Sequence, residues 1–309
     1  MKVIFFGSSN LSAIILDALI SGGVEVPLVI TKAPKKKGRG KSESATPLGE
    51  AAKDLSLNLI EEDDPNSVFV EEEIRKTNVD TFVLASYGAI LKDNILSIAK
   101  YPLNIHPSIL PKYRGASPVA RALMNGEKKT GITIFVMGVG VDTGDIIRIK
   151  EVPILPLEVC TELEERLFKE ATQPILSVLM DIEEGKEIQK LSQDNSKASY
   201  ASKIIKEECR VDWSKTSSEI SGKVRGLSYH PGAFCTFRNK KLKILRAVGL
   251  ADIQDMGCPG EVMDTRENII VKCGEGAVGI REVQLQSRNK IDAKSFINGY
   301  HIKAGEILG

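Results

Sequence analysis

Short runs of β-branched and aromatic residues alternate, through the first half of the chain, with stretches whose apolar positions have helical spacing. Val3–Phe6 is a brief apolar run that ends at Gly7, and Leu11–Ile20 follows with a helical pattern. The alternation continues with strand candidates at Val24–Ile30, Thr81–Ala85 and Leu103–Ile105. Helix candidates lie between them at Thr46–Leu55, Ile90–Ala99 and Ala116–Met124. Pro118 falls in the first turn of the last of these, where a missing N–H costs no helical bond. Ile132–Met137 and Ile146–Ile149 are β-rich and flank the segment GVGVDTG. This order predicts βαβ units, and so an α/β fold with a Rossmann-like, mostly parallel sheet.

From Cys160 to about Lys186 the pattern is that of one amphipathic helix, with Leu163, Leu167, Ala171, Ile175 and Leu179 on one face. The pattern then breaks. Leu191–Ser202 is rich in Ser, Asn, Gln and Lys and reads as a connecting segment. Beyond Trp213 come short β runs at Ala233–Phe237, Leu242–Val248, Asn268–Val271 and Gly279–Val283. The expected organisation is an α/β domain over residues 1–188, a linker over 189–205, and an OB-like β-barrel of five strands over 206–309.

Composition narrows the function classes. The 309 residues carry a net charge of +1, so contact with a polyanion must come from local patches. Five cysteines stand far apart with no CxxC spacing, which argues against a zinc ribbon or a disulfide framework and for a reduced compartment. MKVIFFG reads as a first buried strand and not as a leader, and no apolar run approaches a membrane span. A cytoplasmic monomer without membrane contact is the expectation.

The chemistry concentrates in two loop-like segments behind apolar runs: NIHPSILPKYRGASP, Asn104–Pro118, and VDTGD, Val141–Asp145. One of only three histidines, His106, lies two residues after Asn104 at a strand end, where open α/β sheets place their sites. An amide donor, an imidazole and a carboxylate, Asn104, His106 and Asp142, suit a reaction that creates an oxyanion and then moves a proton. Acyl transfer to a weakly basic nucleophile fits. Ser108 is not expected to be a nucleophile, because no GxSxG elbow surrounds it. A dinucleotide-dependent oxidoreductase is set aside, since only Gly7 follows the first strand.

The first segment resembles the Asn-x-His-x-Ser-Leu-Leu-Pro motif of the 10-formyltetrahydrofolate-dependent formyltransferases. The second resembles that family's downstream Leu-Asp-Thr-Gly loop. Ile109 and Val141 replace the usual leucines with apolar side chains of similar size. The resemblance implies that Asn104, His106 and Asp142 are catalytic and that no metal is used. It implies that 10-formyltetrahydrofolate is held by Ser108, Ile109, Leu110 and Pro111, by Tyr87, Gly88, Ile90 and Leu91, and by Gly140.

The motif does not choose the formyl acceptor. Lys32–Lys41, KAPKKKGRGK, carries six positive charges and no negative one, and resembles a Gly-Arg-Gly-Lys loop in the tRNA-acting members of the family. Residues 206–309 hold 17 Lys and Arg against 13 Asp and Glu, and Lys223–Arg246 holds seven basic residues and no acid. These features imply phosphate contacts by Lys35, Lys36, Lys37, Arg39 and Lys41, and by Lys223, Arg225, Lys240, Lys241 and Lys243. CRVDWSK, Cys209–Lys215, resembles the entry to the second domain of those members, with Trp213 as a packing anchor. The implied reaction is formylation of the α-amino group of methionyl initiator tRNA for translation initiation. An amino-sugar N-formyltransferase is the alternative, and an inactive RNA-binding module is a third reading that the intact trio opposes. Two departures from the family pattern are Gly7-Ser8-Ser9-Asn10-Leu11, for Gly-Thr-Pro-x-Phe, and Tyr229-His230-Pro231-Gly232, where a Trp usually precedes the Pro.

Overall fold

The computed structural model describes residues 1–37, 42–251, 253 and 257–309. These residues form two compact units. The first comprises 1–116, 131–152 and 164–200, and the second 117–130, 153–163 and 201–309.

The first unit is built on a seven-stranded sheet of order β5-β2-β1-β6-β7-β8-β9. Its strands are β1 (Lys2–Gly7), β2 (Glu25–Thr31), β5 (Leu59–Glu61), β6 (Thr81–Ala85), β7 (Tyr101–His106), β8 (Lys129–Val136) and β9 (Ile146–Pro153). A separate hairpin of β3 (Lys35–Lys37) and β4 (Ser42–Ser44) follows β2. β5, β2, β1, β6 and β7 run parallel, and β8 turns antiparallel to β7. Val3, Ile4, Phe5 and Phe6 are all fully buried, as expected of a parallel strand covered on both faces. The cover comes from α1 (Asn10–Ser21), α2 (Pro47–Asp54), α3 (Val68–Lys76), the single turn α4 (Asp93–Leu96) and the greater part of α6 (Cys160–Glu183). Ser9 caps α1 and Thr46 caps α2 through side-chain acceptors for their first N–H groups. Because the five strands are parallel, the loops after Gly7, Thr31, Ala85 and His106 leave one edge of the sheet.

The α/β expectation holds, with differences. The helix expected over Ile90–Ala99 is a single turn at 93–96. α3 and β5 have no counterpart in the sequence reading. Leu191–Ser202 is not a bare connector. Leu191 bridges Ile146, residues 195–197 form a 3-10 turn, and Tyr200 bridges Arg114.

The second unit contains α5 (Pro118–Met124), α7 (Ser217–Leu227), α8 (Ala293–Tyr300) and a six-stranded antiparallel sheet. Its strands are β10 (Ala233–Phe237), β11 (Lys240–Leu250), β12 (Val262–Asp264), β13 (Ile269–Lys272), β14 (Ala277–Leu285) and β15 (Lys290–Asp292). The order is β10-β11-β14-β13-β12, with β15 beside β14. The sheet is a curled half-barrel and not a ring of five paired strands. Residues 305–309 span the gap between its edges. Val262 N–H donates to Glu306 O, and Leu308 N–H to Gly260 O, both at 2.8 Å. On the other side Gly309 N–H donates to Thr236 O at 3.0 Å, and Thr236 N–H to Gly309 O. Leu308 and Trp213 are buried in the core beneath. α7 packs against α5 through two glycines: a Cβ at Gly226 would lie 2.6 Å from Ala120 O, and one at Gly222 2.9 Å from Leu123 O. No helix of the described residues is long and apolar enough to cross a membrane.

Candidate active site

β7 carries two of the three residues singled out by the sequence. Asn104 opposes Leu84 of β6 and Phe135 of β8, and His106 opposes Thr133 of β8. Being two apart on a strand, Asn104 and His106 project from the same face. Main-chain pairing on both sides fixes Asn104, while no hydrogen bond engages its carboxamide among the described residues. Its N–H groups are therefore free to meet a ligand oxygen.

His106 is 5 % exposed. Its Nε2 lies 2.9 Å from Tyr113 O. A carbonyl only accepts, so Nε2 carries the hydrogen, and Nδ1 is the nitrogen turned towards Asp142 Oδ2, 3.6 Å away. Asp142 sits in the left-handed region with φ +52°, and its Oδ2 accepts the Gly115 N–H at 2.8 Å. Tyr113 has φ +60°. Two non-glycine residues in this sparse region, one on each side of the imidazole, mark backbone that its surroundings hold in place. Gly144 ends the Asp142 turn where no side chain fits, since a Cβ would lie 1.7 Å from Val136 O. The main chain of Tyr113 and Gly115 thus touches both titratable members of the trio. The sequence carries no signal for these contacts, because they use peptide groups that every residue has.

The segment after His106 is tied down through Thr133. Thr133 Oγ1 donates to Ser108 O at 2.7 Å and accepts the Leu110 N–H at 3.1 Å. Ser108 is fully buried with its hydroxyl on Lys112 O, and Leu110 packs with Phe135 and Ile146. The Leu110–Pro111 peptide is cis. Of the other residues expected to bind a cofactor, Tyr87 and Leu91 lie in the core of the first unit, whereas Ile90 is exposed. Burial raises the Tyr87 hydroxyl pKa, with Asp63, Glu62 and Asp64 adding to the rise. Gly88 has φ +69°, and its carbonyl takes the Lys32 ammonium at 2.7 Å. Gly140 is exposed, between the exposed Val139 and Val141. An open groove of about 350 Å³ is lined by Leu96, Ser97, Pro102, Met137, Gly138 and Val139, among others. Pro102 lies two residues before Asn104 on β7 and on the same strand face. No group of three or more His, Cys, Asp or Glu residues that could hold a metal occurs among the described residues.

The basic segments are placed in part. Lys35–Lys37 lie on β3, and Lys35 is exposed with its ammonium 3.9 Å from Asp63. Arg39 and Lys41 lie outside the described residues. In the second unit, Lys241 lies 3.7 Å over the Phe234 ring. Burial lowers its pKa, and Lys243 and Lys206 push in the same direction. Lys241 and Lys243 alternate on the outward face of β11, and Lys240 is exposed. Lys223 donates to Arg210 O at 3.1 Å. Arg225 is differently employed. Its guanidinium donates to Glu158 O at 2.9 Å and Leu155 O at 3.0 Å, and burial lowers its pKa.

Comparison with known proteins supplies the remaining observations. Residues 1–179 match the formyl transferase family, and residues 203–301 match the formyl transferase C-terminal domain. A methionyl-tRNA formyltransferase of Sulfurihydrogenibium sp. (strain YO3AOP1) is 37 % identical, over 99 % of this chain and 99 % of that protein. One from Neisseria meningitidis serogroup A is 34 % identical over the whole of both chains. Among solved structures, an N-formyltransferase of Helicobacter canadensis, in complex with folinic acid and dTDP-3-aminofucose, shares the fold. Its TM-score is 0.67 at 19 % identity, over 91 % of this chain and 98 % of that one. The chain therefore belongs to the formyl transferase family, in the group whose members are named methionyl-tRNA formyltransferases.

Proposed function

We propose that this protein transfers the formyl group of 10-formyltetrahydrofolate to the α-amino group of methionyl initiator tRNA, giving formylmethionyl-tRNA for translation initiation. The observation that carries the chemistry is an unengaged Asn104 amide on the same strand face as His106, whose Nδ1 lies 3.6 Å from Asp142 Oδ2. Full-length identity to methionyl-tRNA formyltransferases supports the acceptor.

In this reading the folate lies against main chain of residues 86–91 and 138–142. Its formyl oxygen points to Asn104. The amine nitrogen attacks the formyl carbon directly, and no acyl-enzyme forms. An α-amino group with an ordinary pKa near 8 is substantially neutral at physiological pH, so no strong base is needed to create the nucleophile. Asn104 N–H stabilises the tetrahedral oxyanion. His106 acts through Nδ1, because Nε2 is bonded to Tyr113 O, and in its protonated form that edge donates to the oxyanion or to Asp142. Asp142 takes the proton that the attacking amine sheds. The C–N bond to the folate then breaks, and the departing nitrogen is reprotonated, which leaves tetrahydrofolate and the formylated amine.

The tRNA backbone would be met by the loop carrying Lys35, Lys36, Lys37, Arg39 and Lys41, and by Lys240, Lys241, Lys243 and Lys223. Arg225 is assigned a supporting role, since its donors already meet carbonyls of its own unit. The working form is taken as a cytoplasmic monomer. The test offers the purified protein 10-formyltetrahydrofolate with charged initiator tRNA, charged elongator tRNA or a nucleotide-linked amino sugar. Formylation of initiator tRNA alone is expected. Transfer to the sugar alone would overturn the acceptor assignment.

A further inference from the structure

We infer that Gln193, held by Arg114, is a positioning residue for Asp142. The inference rests on the reading of Asp142 as part of the reacting group. Gln193 comes from the segment that the sequence marks only as a polar connector. Its Nε2 donates to Asp142 O at 2.9 Å and to Gly144 O at 2.7 Å. Its Oε1 accepts from Arg114 Nε at 3.0 Å and Arg114 Nη2 at 2.6 Å. Arginine only donates and a carbonyl only accepts, so the amide has a single workable orientation. Both hydrogens and both lone pairs are used, and this fixes the side chain in place.

Arg114 is 2 % exposed. A further Nη2 contact goes to Asn195 Oδ1 at 2.9 Å. Its main chain is fastened to the same strap by its N–H to Ser199 O at 2.9 Å and by a bridge to Tyr200. On either side of it, Tyr113 O takes the His106 Nε2–H and Gly115 N–H meets the Asp142 carboxylate. Residues 113–115 and Gln193 thus form a yoke. One arm sets the imidazole, the second sets the carboxylate, and the third holds the left-handed Asp142 turn from behind. Without Gln193 the Asp142 and Gly144 carbonyls lose their donor, and the turn is free to relax towards commoner backbone angles. A drift of about 1 Å in a reacting group is enough to cost on the order of a hundredfold in rate.

The test compares Gln193→Ala, Asn195→Ala and Asp142→Asn in the full-length protein, with kcat, the folate KM and thermal unfolding measured for each. Asn195→Ala removes an Arg114 partner and leaves the Asp142 turn untouched, so it matches the strap loss alone. The expected result is a kcat loss of about tenfold or more in Gln193→Ala, with the folate KM within about twofold. Asn195→Ala should stay within about threefold of wild type at a similar melting temperature. Wild-type kcat in Gln193→Ala beside an inactive Asp142→Asn would overturn the positioning role. So would a kcat loss equal to that of Asn195→Ala. Wild-type turnover in Asp142→Asn would instead overturn the reading of Asp142 on which the inference rests.

Discussion

Replacing Asn104 with alanine separates chemistry from stability more cleanly than any other change in the trio. Asn104 is held by its peptide groups, which the substitution keeps, and its carboxamide leaves no buried partner behind when it goes. The expected stability change is within about 0.5 kcal/mol. If the amide donates to the oxyanion, its loss should cost about 2.7–4 kcal/mol of transition-state stabilisation, or 10²–10³ in kcat. His106→Ala is the instructive contrast. It strips the Tyr113 carbonyl of its donor and opens a hole in a nearly buried site, at a cost of about 1–3 kcal/mol for the unmet carbonyl alone. That corresponds to about 2–4 °C in melting temperature per kcal/mol for a unit of this size. The assay is single-turnover formylation of charged initiator tRNA at saturating 10-formyltetrahydrofolate, paired with thermal unfolding. Asn104→Ala should lose rate at an unchanged melting temperature, and His106→Ala should lose both. A rate within about threefold of wild type in a fully folded Asn104→Ala protein would refute the oxyanion assignment.

Other outcomes follow from packing and charge. Gly144→Ala brings a Cβ to 1.7 Å from Val136 O, so the Asp142 turn must move; kcat should fall by more than about tenfold, and a wild-type rate would show the turn to be adaptable. Leu308→Ala removes a side chain that is 1 % exposed and should destabilise the second unit by about 2–5 kcal/mol in denaturant titrations. The Arg246 guanidinium holds the Glu162 carboxyl below its ordinary value of 4.5. The ionised form is favoured in the folded state, so that stabilisation is present above about pH 4.5 and is lost as pH falls through the lower folded value. The melting-temperature difference between wild type and Glu162→Gln should therefore be largest near neutrality and shrink in acid; a difference that is constant from pH 7 to about pH 3 would contradict the sign.

The parallel sheet was legible because its strands are apolar on both faces, as Val3–Phe6 shows. α3 was not, because only Val70 and Ile74 of VFVEEEIRK are buried and its acidic residues mask a narrow apolar stripe. α7 was hidden by its two glycines, which lower helix propensity but allow α5 to approach closely. The Lys35–Lys37 hairpin has no apolar alternation to betray it. At the site, the spacing alone set Asn104 and His106 two residues apart at a strand end. The 3.6 Å approach of Asp142 depends on contacts 27 to 51 residues away in sequence, which no local pattern encodes.

The bridging segment at residues 305–309 has a consequence for solubility. β10 and β12 end the strand order, and each would offer a row of unpaired peptide groups to any extended chain nearby. Here one short stretch occupies both rows, β12 on one side and β10 on the other. Residues 210–211 cover β10 further, with Val211 N–H on Phe234 O. Fraying of that one stretch would uncover two templates at once. Variants that loosen it, such as Leu308→Ala, are then expected to self-associate before they lose their secondary structure.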